Sequence, residues 1–112
     1  MLIFKIFLAE EWQAFHEAGV TSGAPIDLAD GYIHFSTAAQ VEETAEKYFA
    51  DKDGLMLLAL ESEALGADLK WEPSRGGQLF PHLYRQMTLA DITWARSYRL
   101  GPNGLTLPEG VV

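Results

Sequence analysis

Hydrophobic residues fill the first segment of the chain almost without interruption. Apolar side chains occupy both sets of alternating positions from Leu2 to Leu8, and Lys5 is the single charge among them. A run of this kind is typical of a strand that is covered on both faces. From Ala9 the apolar residues recur at helical spacing, and Gly19 supplies a stop signal. The pattern predicts a buried first strand and then a helix from about Ala9 to Ala18.

The pattern then changes within a few residues from loop to strand to helix. Val20 to Leu28 has no clear period and predicts a loop with at most one helical turn, ending in a turn at Asp30-Gly31. Tyr32 to Ser36 alternates with a period of two and predicts a short strand. We expect a helix to begin at Thr37, directly after that strand.

The helix predicted from Thr37 to Phe49 is the most regular one in the chain. Thr37 and Gln40 are spaced as a capping box. Its apolar positions form one stripe, which we expect to pack on a sheet; they are Ala38, Val41, Ala45 and Tyr48.

The second half of the chain predicts strands. Leu55 to Leu60 is a continuous apolar run, and Leu69 to Glu72 is a further strand that Pro73 ends. The final strand, Ile92 to Leu100, is expected to place Ile92, Trp94, Arg96 and Tyr98 on one face. A turn follows at Gly101 to Gly104, and residues 105–112 form a short edge strand or a loose tail. Few helices and many strands indicate an α+β domain with a twisted mixed or antiparallel sheet and two main helices.

Composition narrows the class of protein. At 112 residues the chain suits a single domain covering 1–112. It contains no cysteine, which excludes disulfides, thiol catalysis and thiolate metal sites. No apolar run reaches membrane-spanning length, and the first segment has a strand pattern rather than that of a signal peptide. We therefore expect a soluble cytoplasmic protein without a membrane partner.

The charge is large and unevenly distributed. The formal net charge of −8 argues against binding DNA or another long polyanion. Residues 1–72 hold fourteen acids and four lysines, whereas residues 73–112 hold two acids and four arginines. Arginine suits bidentate binding of phosphate or carboxylate, so a small anionic ligand stays open. The alternative is that the arginines are unrelated surface charges; they are Arg75, Arg85, Arg96 and Arg99.

Two segments carry the same arrangement of candidate binding residues. Tyr32, His34 and Ser36 share one face of a predicted strand, and Phe80, His82 and Tyr84 share one face of another extended segment. We expect these faces to meet across an aromatic cleft in which the two histidines approach each other. His34, Ser36 and Thr37 would lie beside the free N–H groups at a helix start. The alternative is two ordinary half-buried histidines, and the ligand spacing indicates no metal site.

The motifs Gly31-Tyr32-Ile33-His34-Phe35-Ser36-Thr37 and Phe80-Pro81-His82-Leu83-Tyr84 resemble a small bacterial family catalogued as domain of unknown function 952. The first strand, the Trp12 helix, Trp71-Glu72 and the terminal strand match it in the same order. Phe35 stands where that family usually has cysteine, and Arg85 where it usually has glycine.

The resemblance implies a fold similar to that of the ADP-ribosyltransferases, which bind NAD in a cleft between two half-sheets. By that analogy His34 contacts a ribose hydroxyl, while His82 and Tyr84 hold the nicotinamide. Glu72 would be the catalytic carboxylate. An arginine would meet the pyrophosphate, and Arg75, Arg85 and Arg96 are the candidates. The alternative function is a non-catalytic ligand-sensing or protein-interaction domain on the same fold.

Overall fold

The computed structural model describes residues 1–98 and the backbone of residues 100–101 and 104–105. Three α-helices and eleven short strands are present in this part of the chain. The helices are α1 (Ala9–Ala18), α2 (Pro25–Asp30) and α3 (Ala38–Phe49). The strands are β1 (Leu2–Phe7), β2 (Val20–Thr21), β3 (Ile33–His34), β4 (Ser36–Thr37), β5 (Leu55–Glu61), β6 (Leu69–Pro73), β7 (Leu79–Leu83), β8 (Met87–Thr88), β9 (Ile92–Tyr98), β10 (Leu100–Gly101) and β11 (Gly104–Leu105).

The larger sheet is antiparallel and has the strand order β4-β1-β5-β9. The apolar runs of β1 and β5 pair along their whole length, from Leu2 opposite Glu61 to Phe7 opposite Met56. Both faces of these two strands are buried, which is the physical reason for their nearly continuous hydrophobic sequence. The α+β class predicted from the pattern is confirmed.

Each face of this sheet has its own hydrophobic core. On one face, Phe4, Leu57 and Tyr98 pack against Val41 and Ala45 of α3. On the other, the core joins β1 and β5 to α1 and to the smaller sheet; it comprises Ile3, Phe7, Phe15, Ile33, Phe35, Leu58, Leu60, Leu65, Leu83 and Met87. Helix α1 has the predicted bounds and ends at Gly19, whose φ of 81° is readily adopted by glycine.

The smaller sheet has the order β3-β7-β6 and lies beside the point where the chain crosses between sheets. The strand predicted from Tyr32 to Ser36 is two strands, because β3 pairs with β7 whereas β4 pairs with β1. Phe35 stands at the crossing, and its N–H donates to the Pro81 carbonyl over 3.0 Å. Alternation of side chains continues through the crossing, so the sequence pattern gave no sign of it.

Helix α3 begins where it was predicted, with Thr37 as the residue before its first turn. The Gln40 side chain accepts a hydrogen bond from the Thr37 N–H over 3.1 Å, which is one half of the predicted capping box. Val41 and Ala45 are buried as expected, but Tyr48 is 55% exposed. The prediction that Tyr48 packs on the sheet is therefore wrong, since its side chain borders an open cleft instead.

Two further predictions are corrected by the structure. The register of β5 and β9 shifts between Ala59 and Leu60, so Ile92 joins one core and Trp94 the other. A bulge of this kind reverses the side-chain faces beyond it. The segment predicted as a loop contains the two-residue strand β2 and the helix α2.

The end of the chain is described only in part. Strands β10 and β11 pair antiparallel, with Gly101 opposite Gly104, and residues 102–103 of the predicted turn lie outside the described residues. Beyond Leu105, the predicted tail lies outside the residues that the structure describes. Among the described residues, no helix has both the length and the apolar character needed to cross a membrane.

Candidate functional site

The two histidines predicted to approach each other are paired across the smaller sheet. His34 on β3 lies directly opposite His82 on β7, and their ring centroids are 5.2 Å apart. The Tyr32 ring lies 4.7 Å from the His34 ring and 4.3 Å from the His82 ring. The predicted proximity of the two histidines is confirmed, but their faces do not meet across a cleft, because β3 and β7 are neighbouring strands of one sheet. The Tyr84 ring also lies beside the Tyr32 ring, at 5.0 Å.

Glu72 binds the Nδ1 side of the His82 ring. Its carboxylate accepts hydrogen bonds from Nδ1 of His82 over 2.8 Å and from the Tyr84 hydroxyl over 2.7 Å. Both bonds lower the pKa of Glu72 below its ordinary value, and the bond from Tyr84 has the larger effect. The same contact with Glu72 raises the pKa of Tyr84 to about 12. Glu72 is therefore an ionised acceptor at neutral pH.

This arrangement leaves one nitrogen of His82 without a protein partner. A carboxylate can only accept hydrogen bonds, so Nδ1 of His82 carries the proton that bonds Glu72. In the neutral ring Nε2 is then an acceptor. The His82 side chain is 3% exposed, and its Nε2 has no hydrogen-bond partner within the part of the chain that the structure describes. Buried polar atoms are nearly always paired, so this nitrogen calls for an explanation.

His34 is held by a buried network that the sequence analysis did not anticipate. Asp27 of α2 accepts hydrogen bonds from Nδ1 of His34 over 2.6 Å and from its backbone N–H over 3.0 Å. The other Asp27 oxygen accepts from Nζ of Lys5 over 2.6 Å and from the Ala24 N–H over 2.7 Å. Nε2 of His34 lies 2.9 Å from Asp30. The ring of His34 is thus fixed between two carboxylates.

The electrostatics of the network follow from its burial. Asp27 is only 1% exposed. Burial by itself raises the pKa of the Asp27 carboxyl, but the hydrogen bond from His34 and the Lys5 ammonium outweigh it and bring the pKa below its ordinary value. One sequence signal could have led to Asp27: a lysine inside a buried strand requires a carboxylate partner, because an unpaired charge is rarely buried.

A cleft of about 440 Å³ opens where the two sheets diverge. Strand β4 pairs with β1 only at Ile3 and Phe4, so the following part of β1 borders the cleft. Its walls come from β1, α2, the crossing segment, α3 and the β6–β7 hairpin. The lining residues that carry polar groups are Lys5, Asp30, His34, Ser36, Thr44, Tyr48, Ser74, Arg75 and His82.

Of the three candidate arginines, all within the described residues, Arg75 alone lines this cleft. Arg85 forms a bidentate pair with Asp91 at 2.9 and 3.1 Å, and it borders a separate, smaller pocket. Arg96 is exposed on β9, with its guanidinium 4.7 Å from the Trp94 ring centroid. Arg85 and Arg96 are therefore not placed in the histidine cleft, because their strands and turns bring them to other surfaces.

The remaining predicted residues divide between the cleft and its surroundings. Ser36 lines it, whereas Thr37 is not a lining residue and caps the start of α3. Tyr32, Glu72 and Tyr84 are not lining residues; they surround His82 on the face of the smaller sheet that carries both histidines. Within the described residues, no group of three or more acidic or histidine side chains is arranged to hold a metal ion.

Comparison with known proteins adds relatives but no activity. The chain matches the family described as "Protein of unknown function (DUF952)" over residues 6–95. It is similar to the crystal structure of protein CC0527 from Caulobacter crescentus, with a TM-score of 0.89 and 47% identity over 94% of this chain and 92% of that one. The solution NMR structure of the same protein gives a TM-score of 0.83 and 47% identity over 93% and 90% of the two chains. No curated protein matches the chain.

Proposed function

Since this chain belongs to the DUF952 family, whose description gives no activity, we propose from the geometry of its site that it binds a small nucleotide-like ligand in the cleft beside His34 and His82. The observation that carries the proposal is His82. Its ring lines the cleft, and its Nε2 has no partner within the described residues. A buried acceptor without a partner costs about 1–3 kcal/mol. Because Nε2 is itself buried, a ligand N–H or O–H group would recover this free energy by drawing the ring toward the cleft.

The shape of the cleft supports a compact ligand with a flat ring. Its volume of about 440 Å³ lies in the range of small-molecule pockets. Phe35, Phe80 and Tyr48 contribute aromatic surface, and Arg75 supplies positive charge. A heterocycle joined to an anionic group, such as a nucleotide, matches both features. NAD and ADP-ribose are therefore suitable probes.

The position of Glu72 favours binding over group transfer. An ADP-ribosyltransferase-like reaction, which the family resemblance implies, would need a carboxylate beside the reacting ribose. Glu72 does not line the cleft, and its carboxylate is engaged by His82 and Tyr84. We therefore favour a ligand-sensing role in which Glu72 fixes the orientation of His82. The transferase with Glu72, His34 and His82 as catalytic residues is the competing function.

A thermal-shift panel tests the proposal. NAD, ADP-ribose, adenine nucleotides, sugar phosphates and acyl compounds are each titrated against the protein. We expect at least one nucleotide to raise the melting temperature in a concentration-dependent manner, because a ligand that binds only the folded state stabilises it by mass action. The His34→Ala and His82→Gln variants should lose most of this shift.

His16 provides the matched control. It lies on α1 with its ring 5.7 Å from the Trp12 ring, away from the cleft, so the His16→Ala variant should keep the full shift. Backbone NMR of the wild-type protein gives a readout that does not depend on any variant, and the amides of Ser36 and Thr44 should move on titration. If no nucleotide changes the melting temperature or these amides at about millimolar excess, the proposal is wrong.

A further inference from the structure

One corner of the cleft brings together hydrogen-bond donors from three separate elements. Arg75 lies at the tip of the β6–β7 hairpin, and its Nη2 donates to Oγ1 of Thr44 on α3 over 3.0 Å. Oγ of Ser36 on β4 lies 3.0 Å from the same Thr44 oxygen. All three side chains line the cleft, and we call them the Arg75 corner.

The Arg75 corner is held in place from several sides. The guanidinium lies 5.0 Å from the Phe80 ring centroid, a distance that allows a cation–π contact. Gln40 of α3 donates to the Leu79 carbonyl over 2.9 Å, which ties the same hairpin to the helix directly beside its tip. The tip itself turns through Gly76 and Gly77, both with positive φ. Arg75 is therefore positioned by packing, not only by its charge.

The Arg75 corner has more hydrogen-bond donors than its internal contacts use. Either Ser36 donates to Thr44 or Thr44 donates to Ser36, and Thr44 also accepts from Arg75. In both cases one of the two hydroxyl hydrogens is not used in the pair. A guanidinium has five N–H groups, of which Thr44 takes one, while Glu43 lies 3.5 Å from Nε. Several donors thus remain available in the corner.

The charges around the cleft point to an oxyanion at this place. Lys5 also lines the cleft, but its ammonium is paired with Asp27. Glu43 does not line the cleft and its side chain is 69% exposed, so water weakens its effect on Arg75. Arg75 is the remaining cationic side chain among the described lining residues. Its planar fork matches the paired oxygens of a phosphoryl or carboxylate group.

We infer that the Arg75 corner, with Thr44 as a previously unassigned residue, binds an oxyanion of the ligand, and that this oxyanion is a phosphoryl group. The inference rests on the proposed function, because it concerns the same cleft. The ring of the nucleotide would then lie toward His34 and His82, and its phosphate would lie against the hairpin tip. Thr44 selects the phosphate through its hydroxyl and by fixing the guanidinium.

Binding measurements by calorimetry on matched probes and variants test this inference. AMP should bind at least about tenfold more tightly than adenosine, because a charge-assisted contact to phosphate is lost in the nucleoside. Arg75→Gln should weaken AMP about ten- to a hundredfold and leave adenosine nearly unchanged. Thr44→Val, which keeps the shape of the side chain, should weaken AMP by about three- to tenfold. Arg96→Gln removes the same charge outside the cleft and should change neither affinity.

A second titration separates the oxyanion site from the proposed nucleotide binding. Inorganic phosphate and acetate are each titrated alone, and NMR follows the Arg75 Nε–H and the Thr44 amide. Movement of these signals with phosphate, together with no binding of any nucleotide, would support the corner and reject the nucleotide function. Nucleotide binding that Arg75→Gln and Thr44→Val leave unchanged would support the function and overturn the corner. A larger response to acetate than to phosphate would overturn the choice of a phosphoryl group.

Discussion

At the scale of single residues, Glu72 shows how one carboxylate fixes two neighbours. It accepts from Nδ1 of His82 and from the Tyr84 hydroxyl, and both contacts lie on the face of the smaller sheet that carries the histidines. The bond to Glu72 keeps the Tyr84 proton in place and raises the pKa of this phenol to about 12. The bond to His82 decides which ring nitrogen carries hydrogen. The chemistry of the cleft thus depends on a residue that does not line it.

Replacing Glu72 by glutamine should change the titration of Tyr84. The neutral amide neither accepts a charge-assisted bond nor repels the phenolate, so the pKa of Tyr84 should fall from about 12 toward its ordinary value of 10.0. Carbon-13 NMR of labelled tyrosines over an alkaline pH series measures this change.

Tyr98 is the internal control for that titration. Its pKa is also raised to about 12, but burial is the main cause and Glu42 the second. The Glu72→Gln variant should therefore leave the pKa of Tyr98 where it is. Equal movement of both tyrosines, or none at Tyr84, would show that Glu72 is not the cause of the shift.

At the scale of elements, α3 joins the core to the cleft. Val41 is buried against the larger sheet, whereas Tyr48 on the same predicted stripe is exposed at the cleft. Ala45 and Phe49 of the same helix also pack on this core, so the second half of α3 contacts the core with some side chains and borders the cleft with others. This division separates the stabilising residues of the helix from those that contact solvent.

Val41→Ala should lower the free energy of unfolding by about 2 kcal/mol, because it deletes buried methyl groups and leaves a cavity. Tyr48→Ala should change it by no more than about 0.5 kcal/mol, since the ring is largely exposed. Urea unfolding of both variants, followed by circular dichroism, provides the comparison. Similar losses in the two variants would contradict the orientation of α3.

At the scale of the whole molecule, the Lys5–Asp27–His34 network connects the larger sheet, α2 and the smaller sheet. Lys5 belongs to β1, Asp27 to α2 and His34 to β3. Because Asp27 is buried and accepts bonds from β1, from β3 and from the Ala24 N–H that precedes α2, its charge cannot be removed without leaving the Lys5 ammonium unpaired. The network therefore couples the geometry of the site to global stability.

Acid should weaken the fold through Asp27. The folded pKa of this carboxyl lies below the unfolded value of about 3.8, so its contribution to stability is complete above that value. The contribution is lost as the pH falls from there through the lowered folded pKa, because the unfolded chain then binds the proton more readily. Urea unfolding from neutral pH to about pH 2 should show this decline in the wild-type protein.

The Asp27→Asn variant should lose about 3–5 kcal/mol at neutral pH and show a shallower decline in acid. Asp30→Asn is the matched control, since Asp30 contacts the same histidine but is partly exposed, and it should cost no more than about 1 kcal/mol. A loss in Asp27→Asn as small as that in Asp30→Asn would reject the structural role assigned to the network.

The sequence by itself determined the elements that repeat a clear period. Strands β1 and β5 and helices α1 and α3 were predictable because periodicity shows which side chains of a segment are buried, and the two histidines were expected to lie close together. The α+β class followed from the order of these elements.

Only the tertiary structure decided which distant residues meet. Periodicity does not specify a strand's partner, so the division of residues 33–37 between two sheets was not visible in it. Asp27 and Lys5 are 22 positions apart and pair only after α2 folds over β1. Arg75 reaches the cleft because the hairpin of β6 and β7 is hydrogen-bonded to α3, whereas Arg85 and Arg96 do not line the cleft. These outcomes depend on contacts between elements, and a local pattern carries no information about such contacts.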